Sequence, residues 1–325
     1  MTVGNLATLH VRLMESSLPS SVSSTAAPTR RPPTKRAATN WAGLIPFALC
    51  HVAALGAIWS GVTWQAVALG VALYWLRIFG VTAGYHRYFS HRAFETSRPF
   101  AFVLAFLAQS TGQKGAIWWA SHHRHHHLYS DRPEDHHSPR RHGFLHAHLG
   151  WLFRGTDETD WKRVRDLAKY PELMWLNRHD LMPPTVLAIA CLLIAGWPGL
   201  FVGFFASTVC TWHATFAINS LAHVWGSRRY ATPDDSRNNA FLALLTMGEG
   251  WHNNHHHYMR SARQGFFPHE LDATYLILRA LAAIGIVWDL KEPPARVLVS
   301  APTPTGTETE TAAQVAQAPA QLARA

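Results

Sequence analysis

Four apolar runs constrain what this chain can fold into. Residues 41–60 and 62–84 follow one another almost without a break, and each has about the 20 residues a helix needs to cross a bilayer. A second pair, 181–197 and 200–222, is joined by the turn Gly196-Trp197-Pro198-Gly199. The pattern predicts an all-α integral membrane protein with four transmembrane helices in two hairpins. Averages hide this, because 48% hydrophobic content over 325 residues also suits a soluble protein. The alternative, core helices of a large soluble domain, does not explain the pairing of the runs.

Between and after the hairpins stand three histidine clusters, His86/His91, His123/His126/His127 and His252/His255/His256. Two spans precede the first two clusters and four precede the third, so all three emerge on the side of the N-terminus and can meet there. Both hairpin turns lack Lys and Arg, whereas the N-terminal flank carries Arg30, Arg31, Lys35 and Arg36. The positive-inside rule then makes the histidine face and both termini cytoplasmic. The net charge of +9 has this topological explanation, and no nucleic-acid partner is expected. The cap is expected over 85–180 and 223–292. It includes two shorter apolar stretches, 99–111 and 271–287, that suit interfacial helices better than spans. Residues 39–292 make one membrane domain, between tails at 1–38 and 293–325 whose Ser, Thr, Pro, Ala and Gln content predicts disorder. The three cysteines, Cys50, Cys191 and Cys210, fall in the spans and read as packing residues.

Imidazole is the side chain best suited to a first-row transition ion near neutral pH, and eight histidines exceed what one catalytic ion takes. A two-metal centre is the economical reading. In HRHHH and HNNHH the first ring has partners at i+3 and i+4, so each cluster can share one helical face. His86 and His91 are i, i+5, about 140° apart on an ideal α-helix. They read as a helix end, with His91 reaching back. A chance set of polar loops is the bland alternative, as is a histidine-rich metal transporter, which would place its ligands along a path inside the spans.

These residues resemble the membrane fatty acyl-CoA desaturases, the family of stearoyl-CoA desaturase. GVTAGYHRYFSH (80–91), HHRHHH (122–127), NSLAH (219–223) and GEGWHNNHHH (248–257) carry the resemblance. It implies that His86, His91, His123, His126, His127, His223, His252, His255 and His256 ligate two iron ions, with Asn219 approaching through a water. It also implies O2 as co-substrate, two electrons from a separate cytochrome- or ferredoxin-type donor with its reductase, and a cis double bond as product. Related di-iron hydroxylases use other spacings. His122, His125 and His257 adjoin the clusters outside the ligand pattern. Asp131, Glu134, Asp135, Asp234, Asp235 and Glu249 are candidate partners for the second ring nitrogens, and His136, His137, His142, His146 and His148 lie in the same polar cap. His213, inside the fourth span, reads as an interhelical hydrogen-bonding residue.

The expected substrate is a long saturated acyl-CoA desaturated at Δ9, with an acyl-lipid as second choice. The animal enzymes place Arg-Asp before the second cluster, where this chain has Ser121-His122. Tyr74, Trp75 and Ile78, two to three turns before His86, are candidate walls of an acyl tunnel, with core packing as the equal alternative.

Overall fold

The computed structural model describes residues 39–154 and 158–299. Most of both expected tails lies outside the described residues; of the C-terminal one, 293–299 include a single helical turn, Ala295–Leu298.

The first apolar run begins at helix α1 (Trp41–Ala54), capped by the Asn40 side chain accepting from the Gly43 N–H. It continues through Gly56–Ser60 and ends at Gly61, where φ is +75° and a side chain would be strained. Thr63 caps α2 (Trp64–Phe79), which passes directly into a π-helical segment, Gly80–Ser90. The second run therefore reaches Ser90 rather than stopping near Gly84. Three stretches are long and apolar enough to cross a membrane: Gly43–Ser60, Trp64–Ser90 and Met182–His223. Their outward side chains are strongly exposed, Ile58 by 84% and Leu193 by 80%. Water would penalise such a surface, and a bilayer matches it.

The third stretch is 42 residues long and is not straight. It contains α5 (Met182–Pro198), a second π-helical segment (Gly199–Ala206) and α6 (Ser207–Ser220). Ala195 and Gly196 leave helical geometry, with Gly196 at φ +61°. A Cβ on Gly199 would lie 2.3 Å from the Cys191 carbonyl oxygen. Cys191 and Phe204 share one apolar cluster with Leu73, although a straight helix would separate them by about 20 Å. The chain thus doubles back at Gly196. The ring of Trp59 lies 5.8 Å from that of Trp197, so both turns sit at one end of the bundle.

Both shorter apolar stretches are helices, α3 (Arg98–Gln109) and, further on, Ala273–Ala283. α3 packs against the first π-helical segment at two glycines. A Cβ on Gly80 would meet the Leu107 side chain at 2.8 Å, and one on Gly84 the Leu104 carbonyl at 3.0 Å. The main core joins Ile78, Tyr85, Phe89, Leu104, Ile117 and Leu278, tying the histidine-bearing segments together. A two-residue antiparallel pairing, Glu95–Thr96 with Val287–Trp288, closes the far side.

Candidate metal centre

The π winding decides the first histidine pair. The His91 N–H donates to the His86 carbonyl at 3.2 Å, an i to i−5 bond, and the two rings lie 4.8 Å apart. One extra residue per turn brings i and i+5 together, so the helix-end geometry expected from α-helical spacing is replaced by a shared π-helical face. The second cluster lies on α4 (Ala116–Tyr129) and the third on a short helix, His252–His257.

The nine histidines fall into two groups. His86, His91, His123, His127 and His255 form one; His126, His223, His252 and His256 form the other, and within each group the candidate ligand atoms lie within 4.8 Å of one another. Helix α4 gives His123 and His127 to the first group and His126 to the second. The third cluster divides likewise, with His255 in the first and its neighbours in the second. His223, which only the family resemblance named, is held there by position: its Nε2 lies 3.1 Å from that of His252.

The donor set fits cations. In the five-histidine group the Nε2 atoms of His91 and His123 are 2.9 Å apart, those of His123 and His127 3.0 Å, those of His127 and His255 2.9 Å, and those of His255 and His86 3.0 Å. An imidazole nitrogen offers one proton or one lone pair in one direction. His123, His127 and His255 each face two such neighbours and cannot meet both with directed hydrogen bonds. An ion with metal–nitrogen bonds of about 2.1 Å holds ligands at right angles about 3 Å apart, which is this spacing.

Carboxylates stand behind the rings. Asp131 accepts from His223 Nδ1 at 3.0 Å, Asp135 from His126 Nδ1 at 3.2 Å and Asp234 from His256 Nδ1 at 2.6 Å, while Glu249 contacts His86 Nδ1. Glu134 and Asp235 are not among these partners; Asp235 pairs with Arg140. Arg87 sits between Glu249 and Asp272 and is shared by both carboxylates, so the three together carry one net negative charge. With Asp131, Asp135 and Asp234 that makes four negative charges behind the rings, enough to balance two divalent ions. Burial pushes the carboxyls up, but their histidine partners outweigh it and hold Asp131, Asp135, Asp234 and Glu249 below their ordinary range. Burial, reinforced by neighbouring rings, drives His91, His123, His127, His252 and His255 well below the usual imidazole range, leaving lone pairs available.

Other residues that the sequence reading did not name also hold this centre. Gln264 Nε2 lies 3.2 Å from both His86 Nδ1 and Glu249. Arg124 donates to the Phe89 and Ser90 carbonyls at the end of the π-helical segment and to Asp166, clamping α4 beside the His86/His91 pair. Arg87 and Arg124 each directly follow a histidine of the centre, a signal available in the sequence. The adjoining histidines lie outside both groups: His122 stacks on Trp118, His125 bonds the Glu134 carbonyl and His257 stacks on Tyr230. His213 bridges His51 and His148 at 3.1 and 3.0 Å, an interhelical link.

A cavity of about 290 Å³ adjoins the centre. His123, Trp119 and Asn219 line it, together with Phe47, Trp212 and Phe216, and its polar residues include Asn40, Lys114 and Asp180. Tyr74, Trp75 and Ile78 lie elsewhere. The Tyr74 hydroxyl donates to the Leu245 carbonyl at 2.7 Å, Trp75 is 37% exposed and Ile78 is packed in the main core.

The sequence model of the fatty acid desaturase family matches residues 62–285. The chain is 34% identical over 253 residues to the sn-2 palmitoyl-lipid 9-desaturase of Nostoc sp. (strain 36), covering 76% of this chain and 88% of that one. It is 35% identical to the sn-1 stearoyl-lipid 9-desaturase of Anabaena variabilis, over 78% and 94% of the two chains. It is also 35% identical to the acyl-CoA C20 Delta5-desaturase of Anemone leveillei, over 72% and 76%. With two groups of histidines able to hold metal and a match over most of its length, this chain belongs to the fatty acid desaturase family.

Proposed function

We propose that this chain is an O2-dependent desaturase that introduces a cis double bond, at Δ9, into a long saturated acyl chain carried on a membrane lipid. The observation that carries the reading is the convergence of nine imidazoles in two groups at the wall of an aromatic cavity. His86, His91, His123, His127 and His255 would hold one iron, and His126, His223, His252 and His256 the other, with Asn219 near through a water. When bound, the metal pair supplies the activation of dioxygen needed to remove two hydrogens from unactivated methylenes, using two electrons from a separate donor protein.

The protein's own groups position the substrate. Phe47, Trp118, Trp119, Trp212 and Phe216 give the acyl chain an apolar bed and exclude water. Asp131, Asp135, Asp234 and Glu249 fix the tautomer of their histidines so that a lone pair faces the ion. The polar residues Asn40, Gln113, Lys114, His122 and Asp180 line the same cavity, and no arginine is among the described residues that line it. That favours an ester-linked lipid over the polyphosphate of CoA, in keeping with the acyl-lipid relatives. Acyl-CoA is the second reading, supported by the Anemone relative.

The reversal of Met182–His223 at Gly196 and the contact between Trp59 and Trp197 support four crossings, with both turns on the side of the membrane away from the histidine centre. The histidine cap and both termini are then cytoplasmic.

Fatty-acid gas chromatography–mass spectrometry of desaturase-deficient cells expressing the chain or its His255→Ala variant tests the activity. A new cis-Δ9 monoene on a glycerolipid, absent with the variant, is the expected result. A hydroxylated product would replace the desaturase reading, and product found first on CoA would replace the lipid substrate.

A further inference from the structure

A third set of ligand atoms lies beside the four-histidine group. His126, Asp135 and His137 place theirs within 4.8 Å of one another. His126 Nδ1 is 3.2 Å from one carboxylate oxygen of Asp135, and His137 Nδ1 is 3.7 Å from the other. The two rings lie 4.3 Å apart. The carboxylate is held in place by the backbone N–H groups of Asp131 and His137, at 2.9 and 3.2 Å. His137 Nδ1 is a buried atom without a hydrogen-bond partner, which native structures seldom leave unexplained.

Two imidazoles and one carboxylate, with other positions open, form the facial donor set that suits ferrous and similar divalent ions. His137 and Trp151 both line the cavity, and 12% of the His137 side chain is accessible. On the outer side further imidazoles lead away from this set. His142 Nε2 bonds the Asp135 carbonyl and His146 Nε2 the His136 carbonyl; His142 and His146 lie 4.9 Å apart, and His136 stacks on His125 at 5.0 Å. His136 and His142 are exposed.

We propose that His126, Asp135 and His137 form a third, weaker metal site, through which a divalent cation is handed to the four-histidine group. His126 belongs to both sets: an ion taken up by the third set displaces the His126 Nδ1 proton that Asp135 accepts, which leaves to water, and stands one ring away from the four-histidine group. The third set is weaker because it has three donors instead of four, and Asp135 is already engaged by two N–H groups and His126. The inference rests on the reading of the four-histidine group as a metal site.

The test is a Co2+ titration of the purified full-length protein freed of metal, followed by absorption and by metal analysis after equilibrium dialysis. Wild type should bind three equivalents, the third at least about tenfold more weakly. His137→Phe should bind two, with the four-histidine group filling more slowly; His137→Gln, which keeps a polar group of similar size, should do the same if the phenyl ring disturbs folding. Wild type saturating at two, or either variant retaining three, would overturn the third site, and unchanged filling rates would overturn the hand-off. His142→Ala/His146→Ala should keep three equivalents; loss of the third there would make it a surface adduct. Fewer than two equivalents in wild type would instead remove the two-metal reading.

Discussion

At the residue scale, the buried charges behind the rings govern the centre as much as the rings do. Arg87 is 1% exposed and donates to Glu249, Asp272 and the Ala262 carbonyl. Arg87→Met leaves two buried carboxylates without their cation, a change that costs about 3–5 kcal/mol. The expected outcome is a clear fall in the thermal midpoint in detergent together with reduced metal content, because Glu249 no longer holds His86. Acidification acts through the rings. His91, His123, His127, His252 and His255 have folded-state values well below the ordinary 6.5, so below that pH the unfolded chain binds more protons than the folded one. Stability is therefore highest above about pH 6.5 and declines as pH falls further. Metal and thermal stability should be lost together between about pH 6.5 and 5; full metal retention at pH 5 would contradict the ligand set.

At the element scale, the π-helical segment has no room for added volume where it meets α3. Its backbone lies against α3 at Gly80, where an added Cβ would meet the Leu107 side chain at 2.8 Å and the Ala108 nitrogen at 2.9 Å. Gly80→Ala forces the two helices apart, at a cost of about 1–3 kcal/mol, and should shift His86 away from His255. The expected result is protein whose tightly bound metal falls from two equivalents to about one, retained by the four-histidine group, which draws nothing from this segment. Metal analysis of the purified variant reads this directly. Gly199 has the same role in the second hairpin, where a side-chain carbon would stand only 2.3 Å from the Cys191 carbonyl oxygen. Gly199→Val should lower the yield of folded protein in membranes without selecting between the two histidine groups.

At the scale of the whole molecule, the test is topology. If both turns lie opposite the cap, a cysteine replacing Gly61 or Trp197 in a background lacking Cys50, Cys191 and Cys210 should be labelled by an impermeant maleimide from the far side only. One replacing exposed Arg140 in the cap should be labelled only from the cytoplasm. Both turn positions reacting from the cytoplasm would exclude the four-crossing arrangement.

Along the chain, hydrophobic length and histidine spacing were enough to place the apolar helices, to name eight of the nine imidazoles and to indicate a two-metal chemistry; His223 came only from the family resemblance. These signals are local: a bilayer demands about 20 apolar residues in sequence, and helical ligands recur at i+3 and i+4. Tertiary structure alone decided the rest. It divided α4 and the His252–His257 helix between two groups, because each presents neighbouring rings in different directions. It selected Asp131, Asp135, Asp234 and Glu249 from six candidate carboxylates, brought Gln264 to His86, and set the cavity against Trp119 and Trp212 while Tyr74 turned its hydroxyl to Leu245. Such choices depend on contacts between residues up to 178 positions apart. They arise when helices pack, and no local spacing encodes them.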